Sequence, residues 1–183
     1  MITGAALDAA ILALPSRPRR DTYFRATRLI FGFDPLGKQR PIRAQRFNVA
    51  GGARILYLGD DPVTCLHEAQ ALGFPASSVT IVPVQFDLRS VVDLADATVQ
   101  TILQTNPTEI SFNFRSLPAA TRPAMTQVLG ERIAASGRID GLLYESPARQ
   151  GHLNLAVIEA ALTTLGSSLV VNDPNNKLAD HLP

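Results

Sequence analysis

The sequence predicts an α+β fold: a single domain in which a central sheet, mixed or antiparallel, is flanked by helices. Three observations carry this expectation. The chain has 183 residues, a normal size for one core that folds without disulfides or metals. Short runs rich in β-branched and aromatic residues are interspersed with segments of helical period, with no internal repeat and no heptad. Hydrophobic residues make up 46% and charged residues 18%, the balance of a globular chain.

In order, GAALDAAILALP reads as a short helix ended by Pro15. DTYFRATRLIFGF then reads as a strand carrying Arg25, and DPLGKQRPIRAQ as an irregular loop punctuated by proline and glycine. ARILYLG is a second strand, with Ile55 and Tyr57 on one face and Leu56 and Leu58 on the other, so both faces are expected to be buried. Asp60-Asp61-Pro62 starts a helix, because a carboxylate caps free N–H groups and proline suits the first helical position. That helix runs to about Gly73, with Pro62, Cys65, Leu66, Ala69 and Leu72 on an apolar arc and Glu68 at its edge.

The second half continues the pattern. SSVTIVPVQFDL reads as a strand, LADATVQTILQTN as a helix, and EISFNFR as a short alternating strand or ordered loop. RPAMTQVLGERIAASG reads as an amphipathic helix with Met125, Val128, Leu129 and Ile133 inward and Gly137 as its stop. DGLLYES and HLNLAVIEA are strands around the loop PARQG, SSLVVND adds another, and the tail from Pro174 is irregular.

Several function classes recede. No apolar run approaches the roughly 20 residues that cross a bilayer, and the N-terminal segment has Asp8 inside it and no basic region before it. A net charge of +1 gives no general attraction to DNA, although Arg17, Arg19, Arg20, Arg25 and Arg28 permit a local anion site. The single Cys65 excludes an intrachain disulfide and suits a reducing, cytoplasmic compartment. His67, His152 and His181 show no metal-ligand spacing with one another or with Cys65. Ser146 lacks a nucleophile elbow and the Gly51-Gly52 pair lacks a phosphate-loop signature. Residue by residue, bland readings are available: a boundary Glu68, a core Tyr57 and Cys65, surface-paired arginines, a turn Ser146.

Taken together in their order, Arg25 in YFR, Arg46 and Asn48 in RFN, Gly51-Gly52, Tyr57 in ILYL, Glu68 in HEA, Ser146 in LLYES and Asn154 resemble the RES-domain family, named for its arginine, glutamate and serine. The chain departs from the family pattern at Phe47, where tryptophan is usual, and at Gln45, where glycine commonly precedes the arginine. The resemblance implies one RES-type domain over 1–183, with its core at about 23–172, and a fold similar to the ADP-ribosyltransferases. It further implies a toxin that cleaves the nicotinamide–ribose bond of NAD as a glycohydrolase or phosphorylase, with water or phosphate as the acceptor of ADP-ribose and no prosthetic group, and a cognate antitoxin, of Xre-like helix-turn-helix type, that covers the active site. Direct DNA binding and membrane association are not expected; a homodimer is left open, as is delivery into a target cell as an effector.

On this resemblance the catalytic residues are Glu68, Tyr57 and Arg25, and NAD is held by Arg25, Arg46, Asn48, Gly52, Tyr57, Ser146 and Asn154. Glu68 would hydrogen-bond the nicotinamide ribose and stabilise an oxocarbenium-like state. The arginine forks would hold pyrophosphate, Tyr57 would stack on nicotinamide while its hydroxyl fixes a polar atom, the Gly51-Gly52 amides would meet phosphate at the cleft rim, and Ser146 and Asn154 would orient the ligand. Two rivals remain open: a mono-ADP-ribosyltransferase using the same pocket, and a catalytically silent module that binds a peptide or other ligand.

Overall fold

The computed structural model describes residues 1–32, 34–37, 42–112, 123–172 and 181–182. In chain order the elements are α1 (Gly4–Ala13), β1 (Arg17–Arg28), a 3-10 turn (Leu29–Phe31), β2 (Ile55–Gly59), α2 (Pro62–Ala71) and β3 (Val79–Asp93). Then follow α3 (Ala97–Leu103), α4 (Pro107–Ser111), α5 (Met125–Ser136), β4 (Gly141–Glu145), β5 (Leu153–Ile158), α6 (Glu159–Leu165), β6 (Ser168–Val171) and β7 (His181–Leu182). The expected α+β class and flanked sheet are present.

The sheet is mixed, in the order β1-β2-β5-β4-β3-β6-β7, and only β3 with β4 is parallel. The 15-residue β3 organises it, pairing β1 over Val79–Val91, β6 over Val84–Asp87 and β4 over Val91–Asp93. Because β1 also touches β2 at Phe24 opposite Gly59, the pairings run in a circuit, with β6 and β7 branching from β3. The fully buried Asp140 pins this branch point. Its Oδ2 accepts from Arg89 N at 2.8 Å and the Ser167 hydroxyl at 2.5 Å, and its Oδ1 from Ser90 N at 3.0 Å, so a buried carboxylate is stabilised by several donors at once.

Strand alternation divides the interior into two cores. In β2, Ile55 and Tyr57 join Leu142, Ala156 and Ile158 against α1, α3 and α5, whereas Leu56 and Leu58 join Leu143, Leu155 and Val157 on the opposite face. The reading of a strand buried on both sides holds, since helices and loops cover both faces.

Some local expectations change. EISFNFR begins as a helix, not a strand: Asn106 accepts from Glu109 N and Pro107 occupies the first position, the start signal also seen at Asp61-Pro62. Residues 113–115 of that stretch lie outside the described residues. HLNLAVIEA leaves the sheet at Ile158, and α6 follows, ending at a left-handed Gly166. His181–Leu182 pairs with β6 where irregular chain was expected, and 173–180 lie outside the described residues. In α2 the fully buried side chains are Thr64, Cys65 and Ala69, while Pro62 is exposed, because the helix start faces solvent and Thr64 turns inward to bond Asp61.

Helix α5 differs most in its faces. Leu129 and Ile133 are buried as expected, Met125 and Val128 only half so, and a polar row is buried instead. Gln127 Nε2 donates to the Gln45 and Asn48 carbonyls, and Glu131 Oε1 accepts from Val49 and Ala53 amides. Between them lies Gly130, where a Cβ would stand 1.8 Å from the Phe47 carbonyl oxygen. A helix can approach a backbone this closely only through glycine. The row Gln127-Gly130-Glu131 is therefore a cradle that shapes the loop carrying Arg46.

Candidate active site

Asp61 begins the construction of the site. Its side chain accepts from Val63 N at 2.7 Å and Thr64 N at 2.9 Å, capping α2. The same carboxylate pairs with Arg149 and, at 2.8 Å, with His152, while Asp60 accepts from Leu153 N at 2.9 Å. The β4–β5 loop is thus tied to the start of α2. Burial pushes the Asp61 carboxyl up, but the Thr64 and Val63 hydrogen bonds and the Arg149 charge outweigh it and hold it below the ordinary value.

Two turns on, α2 presents Glu68. Its Oε1 accepts from the Ser146 hydroxyl at 2.6 Å and from Asn154 Nδ2 at 2.6 Å, and among the described residues Oε2 accepts nothing. Ser146 and Asn154 are both almost fully buried. Glu68 and Asn154 line a cavity of about 310 Å³ with Arg25, Arg46, Asn48, Tyr57 and Tyr144. Ser146 stands behind the carboxylate, outside the lining. Residues separated by 78 and 86 positions in sequence thereby converge on one oxygen.

The two predicted arginines are oriented by backbone. Arg25 donates through Nε to the Pro35 carbonyl at 2.6 Å and through Nη1 to the Tyr57 carbonyl at 3.4 Å. Arg46 Nη1 donates to the carbonyls of Ile110 and Phe112 at 2.7 and 2.9 Å. Its guanidinium carbon lies 5.9 Å from the Tyr144 ring centroid.

Three of the residues expected to contact NAD also carry structural bonds or packing. The Tyr57 hydroxyl accepts from Phe47 N at 2.9 Å and donates to Asn48 Oδ1 at 2.9 Å, so it braces the Arg46 turn. Burial raises it well above the ordinary phenol range, and it stays neutral. Asn48 is almost fully buried, and its Nδ2 donates to the Arg43 and Val49 carbonyls. It holds the loop. Gly52 does not line the cavity: the Gly51 and Gly52 amides donate to the Ile42 and Val49 carbonyls, and a Cβ at Gly52 would meet Glu131 Oε1 at 2.2 Å. The glycine pair makes room for Glu131 rather than for phosphate.

Other residues emerge only in three dimensions. Tyr144 lines the cavity, packs edge-on against Phe47 with centroids 5.0 Å apart, and is driven by burial, against the pull of Arg46, to a raised pKa. Arg28, Arg43 and Arg54 add to Arg25 and Arg46 along the lining, against Glu68 as its one carboxylate among the described residues. Cys65 is core, as expected, with Sγ donating to the Phe24 carbonyl at 2.9 Å and burial pushing the thiol up to about 11. Asp60, Asp61 and His152 come close enough to ligate a cation. They are committed, however, to Leu153 N, the α2 cap and Arg149.

Chemically, the arrangement combines a cationic cavity with one fixed carboxylate oxygen and one open one. That suits an anionic ligand whose reacting carbon develops positive charge.

Comparison with known proteins gives the following. The RES domain model matches residues 22–177. Among solved structures, a chain from the crystal structure of the M. tuberculosis MbcT–MbcA toxin–antitoxin complex is similar to this chain with a TM-score of 0.64 at 18% identity, over 97% of this chain and 99% of that one. A search of curated proteins found no match.

Proposed function

The chain belongs to the RES-domain family, and from that premise we propose that it is the toxin of a toxin–antitoxin pair, an enzyme that cleaves the nicotinamide–ribose bond of NAD. The observation that carries this reading is Glu68, with Oε1 held by Ser146 and Asn154 and Oε2 open toward a cavity lined by arginines.

Cleavage breaks the bond from ribose C1′ to the pyridinium nitrogen, with the electron pair passing to nitrogen and neutralising it. The sugar left behind is oxocarbenium-like. A carboxylate preoriented before the reaction stabilises that charge without reorganising during it. Ser146 and Asn154 supply the preorientation, and the open oxygen is available to a ribose hydroxyl. Water then adds at C1′ and loses its proton, giving ADP-ribose. Arg25 and Arg46, both lining the cavity, supply the guanidiniums that would hold the pyrophosphate.

A cell that makes such an enzyme needs it neutralised. The similar solved chain comes from a toxin–antitoxin complex, which supports a cognate antitoxin; the family resemblance is the ground for giving it an Xre-like helix-turn-helix type and a place over the cleft. No described helix is long and apolar enough to cross a membrane. NAD as substrate is in keeping with action in a cytoplasm, of the producing cell or of a target cell that receives the toxin as an effector.

The test is NAD concentration against time for purified wild type and Glu68→Gln, with products separated by chromatography and no macromolecular acceptor present. Nicotinamide and ADP-ribose released by wild type, with a loss of about 10²–10³ in the variant, is expected. NAD that stays intact until a protein or nucleic acid is added would replace hydrolysis with ADP-ribosyl transfer. NAD bound tightly and never consumed would leave only a binding module.

A further inference from the structure

Among the described residues five arginines line the cavity, but they are not equivalent. Arg25 and Arg46 direct N–H groups at backbone carbonyls, and Arg54 donates to the Gly37 carbonyl at 2.7 Å and pairs with Glu159 at 3.4 Å. Arg28 and Arg43, both exposed, donate to no carbonyl or carboxylate among the described residues. Arg28 instead lies with its guanidinium carbon 5.8 Å from the ring centroids of both Phe31 and Phe74. These two rings also line the cavity and are half-buried.

This aromatic corner lies further along α2 than Glu68, past the end of the helix. Strand β1 and helix α2 lie side by side, since Cys65 bonds the Phe24 carbonyl and Phe74, just past the helix, meets Arg28. Glu68 stands between these two contacts on α2, and Phe74 follows it by six residues, an axial offset of roughly 9 Å at helical rise. The cavity therefore has an inner end at Glu68 and an outer end at Arg28 and Phe74.

We propose that Arg28, Arg43, Phe31 and Phe74 form a second subsite that takes a nucleoside monophosphate group, a flat base stacked on the aromatic corner with its phosphate on the Arg28 and Arg43 guanidiniums. This rests on the reading of NAD as substrate, and it assigns the adenylate half to the outer end. The chemistry of each group matches. Guanidinium forks grip phosphate oxygens in pairs, and a base stacks on phenylalanine or guanidinium faces without needing specific hydrogen bonds. A dinucleotide whose nicotinamide is at Glu68 must place its other base one nucleotide away, and the aromatic corner is where the cavity offers a flat apolar surface.

The test is calorimetric titration of the wild type and of Arg28→Gln, Arg43→Gln and Phe74→Leu with adenosine 5′-monophosphate, and separately with nicotinamide mononucleotide. Adenosine monophosphate is expected to bind the wild type and to weaken ~30-fold in Phe74→Leu, the middle of the range for loss of one stacked base, with a similar loss in each arginine variant. Nicotinamide mononucleotide should change less than about twofold on losing Phe74, because its base lies elsewhere. In NAD turnover the loss should fall on KM. No binding of adenosine monophosphate, unchanged binding in the variants, or equal weakening of both nucleotides by Phe74→Leu would overturn the subsite. Binding that depends on these residues in a protein that leaves NAD intact would keep the subsite and refute the cleavage reaction.

Discussion

Ser146 donates its hydroxyl hydrogen to Oε1 of Glu68 across 2.6 Å. The serine sits just beyond β4, and its own oxygen accepts from Arg149 N at 3.1 Å, while the Arg149 side chain reaches the Asp61 cap of the helix that carries Glu68. One loop therefore fixes the carboxylate twice, directly through Ser146 and indirectly through the start of α2. Asn154, across the hairpin in β5, adds the second donor to the same oxygen.

Shared use of one oxygen predicts coupling. Hydrogen bonds to a charged group contribute about 1.5–3 kcal/mol, so Ser146→Ala and Asn154→Ala should each slow NAD cleavage by ~10-fold or more. The double variant should lose less than the product of the two, because a carboxylate released by the first change has little orientation left to lose. Initial rates of nicotinamide release for the four proteins give the cycle. Independent, multiplicative losses would mean the two donors act on the substrate separately.

Tyr57→Phe separates a brace from a ligand contact. Removing the hydroxyl leaves Phe47 N and Asn48 Oδ1 without their partner, and an unsatisfied buried group costs about 1–3 kcal/mol. The urea midpoint should fall by the corresponding amount, and the melting temperature by roughly 2–4 °C per kcal/mol for a domain of this size. An unchanged midpoint combined with lost NAD cleavage would return the hydroxyl to the ligand.

What the sequence shows and hides follows from the range of the interactions. The Asp61-Pro62 start, the Gly137 stop and the two-faced β2 are local, and each is present as read. Arg25, Arg46, Tyr57, Glu68 and Asn154 do reach one cavity, yet only their ordered resemblance to a family pointed there, since no spacing rule joins Glu68 to residues 78 and 86 positions away. The cradle of Gln127, Gly130 and Glu131 looked like the solvent side of an amphipathic helix, because its partner is backbone of a distant loop and leaves no hydrophobic period. Asn106-Pro107 carried the same start signal as Asp61-Pro62, and the alternation of EISFNFR masked it. The cluster of Asp60, Asp61 and His152 crosses from α2 to the β4–β5 loop and has no sequence signature.

Acid stability should report the Asp61 clamp. Its folded-state pKa lies below the ordinary value of 3.8, because hydrogen bonds from Thr64 and Val63 and the charge of Arg149 outweigh desolvation. A group depressed on folding contributes stability that is fully present above its unfolded pKa and is lost as the pH falls through the folded value. The window therefore opens just below pH 3.8 and extends downward. Asp96 and Glu109 are depressed as well, so the wild-type curve alone mixes several groups, and a difference against Asp61→Asn isolates one. Asparagine still caps a helix, but it carries no charge for Arg149. Melting temperatures from pH 6 to pH 3 should show a wild-type advantage that holds to about pH 4 and then shrinks as Asp61 takes up its proton. An offset that stays constant to pH 3 would mean that the carboxylate serves only as a cap, and that its ion pair with Arg149 does not hold the β4–β5 loop, with Ser146, against α2.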